Sequence, residues 1–273
     1  MSYKIHLLDA LTPVEWSQAT WKVERTSVPV DDCTEEWLHP LLLEALPRDG
    51  LCVDAGCGSA KWPIHLRRLG FNVVGVDVSR HACELARRTD PGLGVTVGDV
   101  RRLPLRNGSV SALLSFGVVE HDERGPAEAL AEARRVLCDG GLLVLSVPCD
   151  NWLRRLVTNR IMDRVTRRRR KSGMRLGFVE YRFTAREVCD FVTRAGFRIE
   201  AVHPNDYRAP RTVGLWVDWQ NITFDPFRKL DPETMFRLPG TWGRIASAIV
   251  QRVPWLACGE VVVFARATGA RGA

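Results

Sequence analysis

The 273-residue chain has no apolar run long enough to cross a bilayer. Its first residues lack the basic-then-apolar pattern of a secretory leader, so a cytoplasmic chain is expected. Eight cysteines are scattered with no Cys-x-x-Cys pair, which removes the usual zinc-knuckle and thiol-redox motifs. Free, mostly buried thiols in a reducing compartment are expected instead. No internal repeat is visible, so repeat architectures are set aside. A third glycine at position 61 would complete the dinucleotide pattern G-x-G-x-x-G, but Lys61 stands there.

What is present is ordinary for a globular chain: 45% hydrophobic and 26% charged residues, enough for a sizeable core. The length fits one large domain, or one domain with insertions. Lysine and arginine exceed aspartate and glutamate by 39 to 32, giving a net charge of +7. Nucleic acid, anionic lipid, an acidic substrate or a merely soluble basic surface all fit that sum, so where the charge lies matters more.

The stretch Leu51-Cys-Val-Asp-Ala-Gly-Cys-Gly-Ser-Ala60 organises the rest. A short apolar run ends at Asp54, turns through Gly56, Cys57 and Gly58, and opens a helix capped by Ser59. Glycines permit the sharp turn and a close approach to the main chain. The helix start offers free N–H groups to a polar ligand. A glycine turn with no ligand is the plain alternative.

Downstream, strands and helices alternate. The first helix ends near Gly70, and Phe71–Asp77 is a second strand. Ser79 caps a helix with Ala82, Leu85 and Ala86 on one face. Val95–Asp99 and Ser111–Phe116 are further strands. Pro126 starts a helix through Leu130, Ala133 and Leu137, which Gly140-Gly141 ends before a strand at Leu142–Pro148. Thr184 and Glu187 form a capping box whose helix stops at Gly196. Alternation from Phe197 and the run Glu260–Arg266 give the last strands. Strands apolar on both faces indicate an α/β fold with a parallel sheet covered by helices. Asp77, followed by Val78, ends the strand after the glycine turn, where a carboxylate can bind both ribose hydroxyls.

Three stretches carry a resemblance. VDAGCGSA is similar to motif I of the class I S-adenosylmethionine-dependent methyltransferases, D/E-x-G-x-G-x-G, with Ala60 in place of the last glycine. Ser115-Phe-Gly-Val-Val-Glu-His121 resembles that family's S-x-G-V-L-E-H. Glu132 to Pro148 resembles E-x-x-R-V-L-K-P-G-G-x-L-x-x-S-V-P, with Asp139 for proline. The likeness spans roughly residues 50–203 and the last strand, and is nearest the ubiquinone/menaquinone-biosynthesis type. It implies a Rossmann-like seven-stranded sheet with helices on both faces, the last strand antiparallel, and helical lid insertions. It implies S-adenosylmethionine as cofactor, held by Asp54, Gly56, Cys57, Gly58, Asp77, Val78, Asp99, Val100, Phe116 and Gly117. Asp99 would accept from the adenine amino group beside the Val100 N–H; capping a short turn is its other reading. Glu120 and His121 are the catalytic candidates, with His121 as a general base; shaping the pocket is the alternative. Gly117 stands where a metal-binding relative carries a glutamate, so no metal is expected. Ser115-Phe-Gly-Val replaces the N/D-P-P-Y/F motif of enzymes that methylate base amino groups, so a nucleic-acid partner is not expected.

The chain thus divides into a mainly helical arm at 1–50, a cofactor-binding half at 51–148, a basic insertion at 149–183, sheet remainder at 184–203 and 259–267, and an aromatic-rich insertion at 204–258. Trp16, Trp21 and Trp37 make the arm either packing or a flap over the cofactor. In the basic insertion Leu153, Leu156, Val157, Ile161 and Val165 recur at helical spacing among arginines that include Arg154 and Arg167–Arg170. Over 153–171 this suits a lid with solvated arginines, or an anionic membrane surface. Tyr207, Trp216 and Trp219, with His203, Asp206, Asp218 and Trp242 nearby, suggest an apolar acceptor pocket. The expected activity is methyl transfer to oxygen or nitrogen of a small organic acceptor. A lipid-linked or membrane-surface acceptor, or a non-catalytic cofactor-binding protein, are the rivals.

Overall fold

The computed structural model describes residues 2–8, 30–207 and 240–269. In chain order these form β1 (Tyr3–Leu8), α1 (Leu38–Ala45), β2 (Cys52–Ala55), α2 (Lys61–Arg68), β3 (Val73–Asp77) and α3 (Arg80–Thr89). Then come β4 (Gly94–Val97), β5 (Val110–Phe116), α4 (Ala127–Val136), β6 (Leu137–Pro148) and α5 (Asn159–Lys171). The last are β7 (Leu176–Arg182), α6 (Ala185–Arg194), β8 (Phe197–Asn205), α7 (Gly240–Arg252) and β9 (Glu260–Ala267). The chain divides into two compact units: Leu11–Ser146, Cys189–Ala201 and Val263–Ala273 make one, and Met1–Ala10, Val147–Val188 and Val202–Val262 the other.

A seven-stranded sheet of order β4-β3-β2-β5-β6-β9-β8 forms the frame of the first unit. β2 pairs in parallel with both β3 and β5, β3 with β4, and β5 with β6. The final strands run antiparallel, as expected. β2 and most of β5 and β6 are buried, while β4 is an exposed edge. Strand order reverses between β2 and β5, and open α/β sheets bind ligands outside the carboxyl ends of strands at such a point.

Local signals hold in most places. Ser79 Oγ accepts from Ala82 N–H at 3.3 Å and starts α3. Thr184 N–H donates to Glu187 Oε2 at 2.9 Å and Glu187 N–H to Thr184 Oγ1 at 3.2 Å, completing the capping box. Gly70, at φ 85°, closes α2 as Phe71 N–H reaches Leu66 O at 3.1 Å.

Three expectations change. α2 begins at Lys61, and Ser59 does not cap it, because the turn runs on to Ala60, itself left-handed at φ 62°. α4 ends at Val136, and Gly140-Gly141 lies inside β6 instead of stopping a helix. Leu137 already pairs with Val110, and the ladder shifts register before Ala112. The arm expected to be helical opens with strand β1. Residues 9–29 and 208–239, which hold Trp16, Trp21, Trp216, Trp219 and Asp218, lie outside the described residues.

In the second unit β1 pairs antiparallel with β7, from Tyr3 opposite Arg182 to Leu8 opposite Leu176. The basic segment enters through a π-turn at Arg154–Thr158 before α5. That turn carries Arg154 inward: the side chain is 2% exposed and donates to Cys149 O and, at 3.2 Å, to Gly259 O. Asn151 Nδ2 donates to Cys258 O at 2.9 Å, and Asn159 Nδ2 to Asp150 Oδ1 at 2.8 Å. Arg154 is therefore not one of the solvated arginines; it fastens the turn to the chain on either side. Among the described residues no helix is long and apolar enough to cross a membrane.

Arg154→Ala strips the two carbonyls of their charged donor and is expected to destabilise by roughly 2–4 kcal/mol. Arg160→Ala, on the exposed face of the same segment, should stay within about 0.5 kcal/mol. Urea unfolding of the two variants measures the contrast; equal shifts would contradict the inward placement.

Candidate functional site

The buried strand β2 delivers Asp54 to the carboxyl edge, 3% exposed. Gly56 follows at φ 88° and Gly58 at φ 54°. The N–H groups of Gly56 and Cys57 both donate to Val76 O, at 2.7 and 3.1 Å, so the turn is tied to β3. A Cβ at Gly56 would lie 2.3 Å from a Val118 methyl, so this position needs glycine for space as well as for φ. Gly75, within β3, was not apparent as a site residue. A Cβ there would meet Cys57 Sγ at 2.6 Å, so Gly75 makes the room in which Cys57 sits.

Asp77 ends β3 with both carboxylate oxygens engaged. Gly58 N–H donates to Oδ2 at 2.8 Å and Ser79 N–H to Oδ1 at 2.7 Å. Burial raises the Asp77 pKa, while these two N–H groups oppose the rise. Burial, and then the charge of Asp77, pushes Asp54 up to about 8. Burial and the same carboxylates raise the Cys57 thiol well above its ordinary value.

Asp99 lies beyond the end of β4, with Val100 beside it. Arg101 N–H donates to Asp99 Oδ1 at 2.9 Å, and the Arg101 guanidinium engages both carboxylate oxygens. That hydrogen bonding holds the Asp99 carboxyl below its usual range. Arg101 Nη1 also reaches Asp122 Oδ2 at 3.1 Å. One arginine thus joins the loop after β4 to the loop after β5. Its side chain is the partner that motif reading missed; only its place two residues after Asp99 could have pointed to it.

At the end of β5, Phe116 faces Trp62 with ring centroids 6.0 Å apart, and Trp62 also contacts His39 and His65. Trp62 was missed because a tryptophan in a helix is usually core. Gly117, at φ 68°, donates its N–H to Ser146 O at 3.1 Å. A Cβ on Gly117 would lie 3.5 Å from Glu120 Oε1. Glu120 is 2% exposed, and its Oε1 lies 3.9 Å from His121 Nε2. Lys61, where a third glycine was absent, forms an ion pair with Glu36, and Cys33 contacts the Lys61 carbonyl, so the end of the arm lies on the start of α2. Tyr207 belongs to the second unit, where it is buried. Burial also lowers the His203 pKa. Among the described residues, no group of three or more His, Cys, Asp or Glu is arranged to hold a metal ion.

This edge suits a nucleoside whose ribose lies on Asp77. Each Asp77 oxygen spends one acceptor site on a backbone N–H and keeps another for a hydroxyl. The left-handed glycines leave bare backbone on the approach.

Residues 53–145 match the family model described as "Methyltransferase domain". A protein of Streptomyces fradiae described as an uncharacterized 37.1 kDa protein in transposon TN4556 is 31% identical over 177 residues, 59% of this chain and 47% of that one. The tRNA (carboxymethyluridine(34)-5-O)-methyltransferase of Arabidopsis thaliana is 32% identical over 111 residues, 38% of this chain and 26% of its own. The chain spans about half the length, or less, of these curated relatives. The S-adenosylmethionine-dependent methyltransferase structure from Mesorhizobium loti shares the fold at TM-score 0.53 and 18% identity, covering 86% of this chain and 99% of that one.

Asp54 yields a pH prediction. Its folded pKa is raised, so the folded chain keeps a proton that the unfolded chain gives up. Stability from this group is whole below its ordinary 3.8 and is lost as pH rises through about 8. Asp54→Asn should flatten that loss, so its melting temperature should gain on the parent as pH rises across this window. Thermal melts without cofactor measure it; parallel profiles would contradict the buried-pair assignment.

Proposed function

This chain carries a class I S-adenosylmethionine-dependent methyltransferase domain, and we propose that it moves a methyl group to an oxygen or nitrogen of a small organic acceptor. The observation that carries the reading is Asp77, fixed by Gly58 and Ser79 at the end of β3 above the glycine turn. Asp77 holds the ribose hydroxyls. Asp99, oriented by Arg101, receives the adenine amino group, and the Val100 N–H serves the ring beside it. Gly56 and Gly58 give the backbone approach for the remaining polar groups. When bound, the cofactor supplies a methyl on a positively charged sulfur, already activated for in-line displacement.

The chain's own task is then to orient the acceptor and exclude water. Asp77 is the buried anion of the floor, and Asp54, which keeps its proton until about pH 8, gains from giving it up beside a cationic ligand. Phe116 and Trp62 supply an apolar wall. In this reading His121, beside the buried Glu120, takes a proton from an acceptor hydroxyl or ammonium. Tyr207, Trp216 and Trp219 serve the acceptor side in this reading. The reaction runs in the cytoplasm.

Radiolabelled methyl transfer from S-adenosylmethionine into fractionated extract tests the activity. Label is expected in a small polar or aromatic fraction; label confined to RNA or protein overturns the acceptor class. Asp77→Ala should weaken S-adenosylhomocysteine binding at least about a hundredfold, because two hydrogen bonds to a charged group are lost. Calorimetry measures this, and unchanged affinity removes the ribose assignment. His121→Gln should lower turnover while cofactor affinity holds. Loss of both would assign His121 to pocket shape instead.

A further inference from the structure

The second unit carries a surface that the proposed chemistry does not use. In the segment 152–171 the interior takes Arg154, Asn159 and Met162. The outside keeps Trp152 at 57%, Leu156 at 54% and Val157 at 46% exposure. The Arg155 guanidinium lies 5.7 Å from the Trp152 ring centroid. Arg160, Arg164, Arg167, Arg168, Arg170 and Lys171 are exposed beyond them. The segment has one acid, Asp163, and it accepts from the Tyr3 hydroxyl at 3.0 Å. In the same unit α7 and the residue after it expose Ile245, Ile249 and Val253, four residues apart, on a stretch with no acid at all.

A basic helix with outward aliphatics and a tryptophan at one end matches the make-up of an interfacial element. Nucleic acid accounts for the arginines, but aliphatic side chains offer nothing to phosphates and give no stacking face to bases. A protein partner requires shape complementarity around each apolar side chain. A fluid bilayer takes up scattered apolar side chains without it, while anionic headgroups match arginines that have almost no acid of their own among them.

We propose that this surface seats the chain on an anionic lipid bilayer. Trp152, Leu156 and Val157 enter the interface, and the arginines of α5 lie over the headgroups. Attachment is to one face of the bilayer, and it does not rest on methyl transfer. Its failure and that of the proposed activity are therefore read separately.

The test is co-sedimentation of the full chain with vesicles of phosphatidylcholine alone or mixed with phosphatidylglycerol, at low and high salt. Binding is expected to the mixed vesicles only, and to weaken with salt. Arg160→Gln, Arg164→Gln, Arg167→Gln and Arg168→Gln combined should lower that binding at least about tenfold. Trp152→Ser with Leu156→Ser should lower it too, with S-adenosylhomocysteine affinity and thermal melts unchanged in both variants. Failure of the parent to sediment overturns the proposal, as does equal binding to neutral vesicles. Tighter binding to an RNA oligonucleotide or to an acidic protein than to the mixed vesicles overturns it as well.

Discussion

The carboxylate of Asp77 is the constraint on which the functional edge depends. One oxygen takes the Gly58 N–H and the other the Ser79 N–H, so one side chain ties the turn after β2 to the end of β3 and the start of α3. To present Gly58 in that way the chain passes through left-handed conformations at Gly56, Gly58 and Ala60. For alanine this costs about 1–2 kcal/mol. The Ala60 methyl is buried against Val30, Ile64, Ala86 and Leu93, and burying one such group returns about 0.8 kcal/mol. The burial offsets roughly half of the cost, which makes alanine tolerable where the family pattern has glycine.

The acids are concentrated where the strands end. Asp54 and Asp77 are buried there, Glu120 is buried after β5, and Asp99 and Asp122 share Arg101. Burial makes it costly to ionise both members of the first pair, and the Asp54 pKa is raised accordingly. A positively charged ligand is what such a floor favours. In a chain of net charge +7 this negative edge is therefore a local arrangement and not a consequence of composition. The sum of charges carries no trace of it.

Much of the fold was legible because its signals are local. A capping box, a helix-ending glycine and a run of buried strand residues each act within a few positions, and Ser79, Thr184 and Gly70 behave accordingly. The glycine turn and Asp77 were legible for the same reason, although Ser59 was misread because the backbone of Ala60 could not be foreseen. What escaped depends on partners distant in sequence. β1 is a strand because β7, over 160 residues away, pairs with it. Gly140-Gly141 looks like a helix stop until Leu137 is seen pairing with Val110. Arg101 becomes a site residue through Asp122, which no spacing motif connects to it.

The basic segment shows the same limit most sharply, since Arg154 and Arg160 are equivalent by residue type and lie six positions apart. The π-turn decides between them. Asn159 N–H closes on Arg154 O, one residue beyond an α-helical bond, so the turn takes up an extra residue before α5 begins. Arg154 then points at the carbonyls of Cys149 and Gly259, where a guanidinium has donors enough to serve both. Arg160, six residues on, is exposed. Helical periodicity drawn from 153 onward assumes 3.6 residues per turn and so assigns the faces at this end wrongly. Leu156 and Val157, read as part of one apolar stripe on a lid or a membrane-facing helix, are exposed. The apolar stripe and the arginine run therefore do not divide into an inner and an outer face, and the exposed apolar residues stand among the exposed cations.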